Sequence, residues 1–266
     1  EIQKIEKIYD KKTASLWSLT KDQICVMIHS GSRALGHQTC NDYTNIFWKN
    51  RSKYGINVPR KGLAALPIET KEGKNYFAAM AACVNFAFCN RTIMAYHIQK
   101  VFQDILNSKL DLLYDVAHNI AKWEPSPDKK EKRILMHRKG ATRALPADHP
   151  KNPKIYSKTG HPALVPGSMG SPSYIILGLE KNKETFYSVN HGAGRIMSRR
   201  KAKRTIKKSQ FIEKMKNIVY NKPFRVIADE APQAYKDITE AINTLVEAKL
   251  TKKIVQLKPL AVIKGD

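Results

Sequence analysis

The chain has 266 residues, 42% of them hydrophobic and 26% charged, which is typical of one large globular domain or two small ones. Its 47 Lys and Arg residues outnumber 23 Asp and Glu residues, and the net charge of +24 favours a polyanionic partner such as nucleic acid. Four scattered cysteines form no CxxC pair, and the most apolar stretch, residues 76–88, is too short to cross a bilayer. We therefore exclude the secreted, membrane-spanning and disordered classes.

Short apolar runs that end at turn residues predict strands, and longer periodic runs predict helices. In chain order, the sequence predicts a strand over 24–28, a helix over 74–106, a strand over 112–117, loops over 124–132 and 146–158, strands over 174–177 and 185–189, helices over 209–220 and 232–250, and a proline-interrupted strand over 254–263. The strands and helices alternate without a regular βαβ rhythm, which predicts an α+β fold.

Three of the eight histidines close an apolar run and open a loop: His29, His118 and His191. A side chain at the end of a core strand is held rigidly while its loop stays open to a ligand, as a metal ligand or a nucleophile requires. Any one of them could instead be a buried structural histidine, but three in one arrangement favour a functional site. By contrast, His149 and His161 lie in proline-rich loops without obvious partners.

Two glycine-rich turns could cradle an anion. Residues 192–195, Gly-Ala-Gly-Arg, can point backbone N–H groups into one concavity beside His191, with a guanidinium nearby. Residues 166–171 form a second such turn, with hydroxyls at Ser168, Ser171 and Ser173. Neither turn matches a Walker A loop or a dinucleotide fingerprint, so the common nucleotide-binding folds are disfavoured.

Basic residues are concentrated in two clusters. One follows the His191 loop and contains Arg199, Arg200, Lys201, Lys203, Arg204, Lys207 and Lys208; the other contains His137, Arg138, Lys139 and Arg143. Either cluster alone could be an ordinary solvated face. The net charge favours phosphate as their partner.

Seven motifs stand in order along the chain. They are Met-Ile-His-Ser-Gly-Ser-Arg at 27–33 with Leu-Gly-His at 35–37, Tyr-Asp-Val-Ala-His-Asn-Ile-Ala-Lys at 114–122, His-Arg-Lys-Gly-Ala-Thr-Arg-Ala at 137–144, Pro-Gly-Ser-Met-Gly at 166–170, His-Gly-Ala-Gly-Arg at 191–195, Glu-Ala-Pro at 230–232 with Ala-Tyr-Lys at 234–236, and Lys-Pro-Leu-Ala-Val-Ile-Lys-Gly at 258–265. Together they resemble the RtcB family of RNA ligases. The resemblance implies an RtcB-like mixed α/β fold, with a single catalytic domain over residues 1–266 that is incomplete at its amino terminus.

The activity implied by the resemblance is that of a GTP- and Mn2+-dependent RNA ligase. Such an enzyme joins RNA ending in a 3′-phosphate or 2′,3′-cyclic phosphate to RNA bearing a 5′-hydroxyl, in tRNA splicing or RNA repair. The matching position for the catalytic nucleophile, which attacks the α-phosphate of GTP, is His191. His29 and His118 match Mn2+ ligands, and two ions are expected in the complete protein.

The resemblance also assigns binding residues. The positions that match nucleotide contacts are Glu1, His118, Asn119, Pro166, Gly167, Ser168, Met169, Ser173, His191, Gly192, Ala193, Gly194, Tyr235 and Lys264. Tyr235 suits stacking on a base, and Lys264 suits hydrogen bonding to the guanine edge. The residues expected to bind RNA are Arg138, Lys139, Arg143, Arg195, Arg199, Arg200 and Lys201.

Part of the family's metal site has no counterpart here. An Asp and a Cys of one motif, and the His of an Asn-His-x-x-Glu motif that ends at Glu1, would lie upstream of the first residue. We therefore expect the chain to be the carboxy-terminal part of a longer protein and to be inactive alone, because two histidines make a poor catalytic metal site. The alternatives are a non-catalytic RNA-binding remnant and a metal-dependent phosphatase or nuclease. We further expect a cytoplasmic monomer that does not bind membranes and that works with an archease-type activator protein.

Overall fold

The computed structural model describes residues 1–129 and 131–265. The chain divides into two compact units. The first unit comprises Glu1–Met27 and Leu113–Asp266, and the second comprises the intervening residues Ile28–Leu112. The mixture of strands and helices confirms the predicted α+β class. The expectation of one catalytic domain over residues 1–266 stays a prediction.

Ten strands and seven α-helices make up the described structure. The strands are β1 (Ile2–Ile8), β2 (Ile24–Val26), β3 (Asn119–Pro125), β4 (Arg133–Lys139), β5 (Ala141–Arg143), β6 (Pro162–Val165), β7 (Ser173–Gly178), β8 (Ser188–Asn190), β9 (Val219–Tyr220) and β10 (Thr251–Val262). The helices are α1 (Lys11–Leu16), α2 (Arg33–Asn50), α3 (Lys71–Leu106), α4 (Arg199–Thr205), α5 (Lys208–Lys214), α6 (Phe224–Ile227) and α7 (Ile238–Glu247). Short 3-10 turns connect several of them.

The first unit is built around a six-stranded sheet with β10 at its centre. The strand order is β2-β1-β10-β7-β6, and all these pairs are antiparallel. The end of β10 also pairs in parallel with β9. Two smaller antiparallel pairs, β3–β4 and β5–β8, lie outside this sheet.

The predicted proline-interrupted strand is one continuous strand, β10, with Pro259 inside it. Proline lacks the N–H that a strand ladder needs, so it is tolerated where pairing is irregular. The register between β1 and β10 shifts at this point, since Gln3 faces Pro259 while Ile2 faces Ala261. The irregular register therefore accommodates the proline within a central strand.

Alternating residues of the central strands form the core of the first unit. Ile5 of β1 and Ile254 and Leu257 of β10 are fully buried in one cluster, which also holds Trp17 after α1. A second cluster gathers around Phe211 of α5. In a third cluster, side chains of α7 pack on those of β6 and β7. Burial of these side chains, at roughly 25 cal/mol per Å2 of apolar surface, is the main source of stability.

In the second unit, α2 and α3 form a helical pair joined by a loop with two 3-10 turns. The hydroxyl of Thr70 accepts a hydrogen bond from Gly73 N at 3.0 Å and caps α3. Tyr43 and Phe47 of α2 contact Tyr76 of α3 with ring centroids 5.2 and 5.4 Å apart. The 36-residue α3 is long and apolar enough to cross a membrane, although a single helix of this kind is weak evidence. The exclusion of membrane-spanning proteins therefore stays a prediction.

The strand predicted over 112–117 is wrong, because residues 111–117 have no regular secondary structure. Their apolar side chains pack without strand pairing: Leu113 and Tyr114 lie against the first core cluster, and the Tyr156 hydroxyl donates to the Leu113 carbonyl.

His161, which was expected to lack partners, has two contacts. Its ring stacks on Tyr114 at 4.6 Å and, through Nε2, accepts a hydrogen bond from Leu145 N at 3.3 Å.

Four other predicted elements are shorter than expected. The strand expected over 24–28 ends at Val26. The strand expected over 185–189 begins only at Ser188, because Phe186 and Tyr187 adopt positive φ angles. The helix expected over 209–220 ends at Lys214, and Asn217, which precedes β9, has a positive φ angle in the left-handed region. The helix expected over 232–250 starts only at Ile238, capped by the Asp237 carboxylate. Residues 146–158 form the predicted loop with one 3-10 turn, and the loop over 124–132 includes Lys130, outside the described residues.

Candidate active site

His118 and His191 lie in direct contact. Their ring centroids are 3.7 Å apart and the ring planes meet at 67°, so that one ring's edge faces the other. Ligand nitrogens of the two rings lie within 4.8 Å of one another. Both residues are half-buried, and the Nδ1 atom of each ring is buried. Sequence reasoning named both residues, and the structure brings them together.

Gly140 explains how two histidines far apart in sequence meet. His118 directly precedes β3, His191 directly follows β8, and Gly140 connects β4, the partner of β3, to β5, the partner of β8. The Gly140 N–H donates to the His118 carbonyl at 3.0 Å, and the Gly140 carbonyl accepts from His191 N at 3.3 Å. Its φ of +68° lies in the left-handed region that favours glycine.

The chemistry of this pair fits a first-row divalent metal. Neutral imidazole nitrogens bind manganese, zinc and related ions, and two imidazoles within reach of one another supply part of a coordination sphere. Oxygen or further nitrogen donors would be needed to complete it. The same ring nitrogens could alternatively act on a phosphate as nucleophile or proton carrier.

The two glycine-rich turns lie against each other. A methyl group added at Gly192 would approach the Pro166 carbonyl oxygen at 3.6 Å, so the His191 loop abuts the turn at residues 166–171. Within the second turn, Ser168 N donates to Ser171 Oγ at 2.7 Å and Gly167 N donates to Ser173 Oγ at 3.0 Å. Serine hydroxyls thus accept from these two N–H groups. The expectation that this turn cradles an anion stays a prediction. Met169 is 1% exposed and belongs to the core, so its side chain faces no ligand.

Glu1 is linked to this turn through Gln3. The Gln3 amide Nε2 donates to Glu1 Oε2 and to Ser173 Oγ, both at 2.8 Å. Burial raises the pKa of the Glu1 carboxyl, while the positive charge of Lys264 and the Gln3 hydrogen bond oppose this shift. Lys264 is held by Asn221, whose Oδ1 accepts from Lys264 N at 2.9 Å. Four predicted nucleotide-binding residues, Glu1, Gly167, Ser173 and Lys264, therefore share one neighbourhood.

Tyr235 joins a half-buried polar network next to the His191 loop. Lys236 N donates to the Gly194 carbonyl at 3.0 Å, which ties the two segments together. The Tyr235 hydroxyl accepts from Arg195 Nη1 at 2.8 Å and donates to the Glu230 carboxylate. Burial, with the hydrogen bond to Glu230, raises the pKa of Tyr235, so the phenol stays protonated. The Arg195 guanidinium lies 4.8 Å from the Tyr235 ring centroid, and the ring also packs against the second core cluster. Stacking of a base on Tyr235 stays a prediction.

The family model described as tRNA-splicing ligase RtcB matches residues 1–265 of this chain. The chain belongs to the RtcB family.

Relatives named as RtcB ligases resemble the chain over its full length. A tRNA-splicing ligase RtcB of Archaeoglobus fulgidus is 42% identical, and one of Thermococcus kodakarensis is 40% identical; each match covers 100% of this chain and 57% of the relative. An RNA-splicing ligase RtcB of Mycobacterium tuberculosis is 41% identical, with 62% of that protein covered. The chain thus spans little more than half the length of these relatives.

The basic residues assigned from the RtcB resemblance have different environments. Arg138 is buried and bonded to Glu124, Ser188 and Phe186, so its assignment to an exposed RNA-binding surface is wrong. The Arg195 side chain bonds to the Tyr235 hydroxyl and pairs with Glu230. The other residues assigned to RNA binding are exposed or half-buried: Lys139, Arg143, Arg199, Arg200 and Lys201. Lys139 Nζ donates to Asn119 Oδ1 at 3.2 Å, next to His118.

His29 is exposed and lies at the start of the second unit, three residues beyond the end of β2. β2 is fixed at the sheet edge, where Met27 N donates to the Glu1 carbonyl at 2.9 Å. The role of His29 as a metal ligand stays a prediction from the RtcB motif.

Sequence reasoning missed Gln3, Asn221 and the role of Glu230 as a hydrogen-bond acceptor. For Gln3 a signal was present: it shares one face of β1 with the fully buried Ile5, and an amide at an inward strand position is unusual. Asn221 and Glu230 act through contacts that span the chain, with Lys264 and Arg195, and no local pattern reveals them.

Proposed function

We propose that this chain forms the nucleotide-handling part of a GTP- and Mn2+-dependent RNA ligase. The ligase would join RNA with a 3′-phosphate or 2′,3′-cyclic phosphate end to RNA with a 5′-hydroxyl end. The observation that carries the proposal is the contact between His118 and His191 beside the Gly192 loop, at the motif positions that the RtcB resemblance assigns to metal binding and nucleophilic attack.

In the proposed first step, a ring nitrogen of His191 attacks the α-phosphorus of GTP. A nitrogen–phosphorus bond forms, the bond to the bridging oxygen of the β-phosphate breaks, and pyrophosphate leaves. Where the RNA ends in a 2′,3′-cyclic phosphate, water first attacks its phosphorus and the 2′-oxygen leaves as a hydroxyl, which gives a 3′-phosphate. The GMP group then passes to an oxygen of the RNA 3′-phosphate, which regenerates the imidazole. Finally the 5′-hydroxyl oxygen attacks the phosphorus of that 3′-phosphate, and GMP leaves as a phosphodiester forms.

The neighbours of His191 suit this role. Gly140 fixes the His191 backbone, and the contact with His118 restricts the His191 ring. A divalent metal held by His118, with His29 as the motif implies, would neutralise phosphate charge and favour displacement. Glu1 and Lys264 would read the guanine edge, since a carboxylate accepts from its N–H donors and an ammonium donates to its carbonyl oxygen.

Exposed cations near this site would hold RNA. Lys139 lies beside Asn119, and Arg200 and Lys201 lie in the first turn of α4, shortly after the His191 loop. Their charges would neutralise RNA phosphates without reading bases, so affinity would fall with salt. The archease-type activator, the monomeric state and the cytoplasmic location stay predictions.

Transfer of label from α-labelled GTP tests the proposal in a ligase that contains this chain together with the region that its relatives carry upstream. We expect covalent label that is lost in His191→Ala and kept in His97→Ala, a matched change at an exposed histidine of α3. Loss of label with His191→Ala, together with ligation of 3′-phosphate RNA by the parent, would support the ligase. RNA binding without any label would instead indicate a non-catalytic remnant, and phosphate release or RNA cleavage without label a phosphatase or nuclease.

A further inference from the structure

We propose that Gln3 is a positioning residue that gives the site its preference for guanine, acting through the Glu1 carboxylate. This inference rests on the proposed function, because it requires a guanine base next to Glu1. Gln3 belongs to none of the seven motifs by which the sequence resembles RtcB.

Gln3 uses both of its N–H bonds inside the site. Its Nε2 reaches Glu1 Oε2 and Ser173 Oγ at 2.8 Å each, and a primary amide has two N–H donors. Ser173 Oγ in turn accepts from Gly167 N at 3.0 Å. The Gln3 side chain thus connects the Glu1 carboxylate, which precedes β1, to the start of β7 and to the turn at residues 166–171.

This arrangement costs stability. Gln3 is 0% exposed, and among the described residues its buried Oε1 has no hydrogen-bond partner. An unsatisfied buried carbonyl oxygen is unfavourable, so an apolar residue of similar shape would suit a merely structural position better. A polar side chain kept at an inward position of a core strand is expected where function requires it.

The geometry accounts for a guanine preference. Gln3 occupies one side of Glu1 Oε2, which fixes the carboxylate plane and leaves its other lone pairs available as acceptors. Guanine offers two adjacent donors, N1–H and N2–H, which a fixed carboxylate can accept together. Hypoxanthine, the base of IMP, lacks the N2 amino group and can make only the N1–H contact. Adenine offers no N1–H.

Binding of GMP and IMP, measured by calorimetry on the intact protein, tests the inference. We expect Gln3→Met, an unbranched and nearly isosteric change, to weaken GMP binding about tenfold and IMP binding much less, because the lost contact is one hydrogen bond to a charged group. The ratio of GMP to IMP affinity should then approach that of Glu1→Ala. Ile5→Val is the matched control: it lies on the same face of β1, is fully buried and should leave the ratio unchanged.

Each outcome separates the inference from the proposed function. If Glu1→Ala removes the preference for GMP and Gln3→Met keeps it, the inference is overturned and the proposed function stands. If Glu1→Ala keeps the preference, the proposed role of Glu1 fails and the inference with it. Should Gln3→Met not fold, Gln3→Asn, whose amide is one methylene too short to reach Glu1, provides the same comparison.

Discussion

Arg138 donates two parallel hydrogen bonds to the Glu124 carboxylate, from Nη1 to Oε1 and from Nη2 to Oε2, both at 2.8 Å. Only 3% of the Arg138 side chain and 13% of the Glu124 side chain are exposed. Two further donors of the guanidinium reach Ser188 Oγ and the Phe186 carbonyl. The pair therefore ties the β3–β4 hairpin, which follows His118, to the strand that precedes His191.

Removing this arginine should destabilise the fold. Burial disfavours ionisation of Glu124, yet the hydrogen bonds and charge of Arg138 hold the pKa of its carboxyl below the usual range. In Arg138→Met the carboxylate loses its partner while still buried, and we expect the free energy of unfolding to fall by about 3–5 kcal/mol. Urea unfolding measures this, and Arg138→Met combined with Glu124→Leu should recover most of the loss. A loss below about 1 kcal/mol would show that the pair is solvated in solution.

His161 should make the protein acid-sensitive. Burial lowers the pKa of His161 to about 4, although the hydrogen bond to the Pro162 carbonyl opposes the shift. The unfolded chain gains a proton near pH 6.5 and the folded chain only near pH 4, so stability is full above pH 6.5 and falls as the pH drops between these values. The contribution is of order 3 kcal/mol, by 1.36 kcal/mol per unit.

Replacement of this ring by a side chain that does not titrate provides the check. The free energy of unfolding of His161→Gln should depend less steeply on pH between 6.5 and 4 than that of the parent. His97→Gln, at an exposed position of α3, should retain the parent slope. Equal slopes for all three proteins would contradict the assignment.

Gly140→Ala should impair labelling at His191 more than its stability loss explains. Nothing lies within 4 Å of a methyl group at Gly140 or at Gly55, and their φ angles are +68° and +64°. Both alanine variants should therefore lose a similar 1–2 kcal/mol of stability from backbone strain alone. Only Gly140 connects His118 to His191, so only Gly140→Ala should slow transfer of label from α-labelled GTP. Equal labelling rates in Gly140→Ala and Gly55→Ala would show that Gly140 does not position His191.

The first turn of α4 should contribute to RNA affinity. Replacing Arg200 and Lys201 by serine should reduce the slope of log affinity against log salt by about 1.4, at roughly 0.7 per phosphate contact with single-stranded RNA. The control replaces Lys11 and Lys12, two exposed adjacent cations in the first turn of α1. Filter binding at several salt concentrations measures the slope. A similar decrease for both pairs would indicate nonspecific attraction by the net charge.

The sequence predicted those parts of the molecule that local pattern determines. The long helix, the strand at 174–177 and the loop position of His191 follow from hydrophobic periodicity and glycine placement. The strand prediction for residues 112–117 failed because their apolar side chains reach the core without strand pairing. Tyr114 stacks on His161, a residue far along the chain. Periodicity cannot distinguish such a packed irregular segment from a short strand.

The candidate site was predicted in its residues but not in its connections. His118 and His191 were both expected as site residues from the family motifs, but their direct contact was not predicted. The bridge through Gly140 depends on two strand pairings that no local signal encodes. Arg138 failed as an RNA-binding residue because Glu124, which neutralises it, lies on the opposite strand of the hairpin. A cluster of basic residues in the sequence shows where positive charge lies, but not which acidic residue neutralises it in the fold.

The position of β10 at the centre of the sheet has a consequence for biosynthesis. Both β1 and β7 pair with β10 in the folded protein. Until residues 251–262 leave the ribosome, β1 can pair with β2 but not with β10, and β7 also lacks β10 as a partner. At about 5–20 residues per second, the apolar edge of β1 stays unprotected for roughly 10–50 s and that of β7 for roughly 4–17 s. Truncation or stalling before residue 251 would leave the same edges exposed permanently. Such products should depend on chaperones for solubility and should be prone to aggregation.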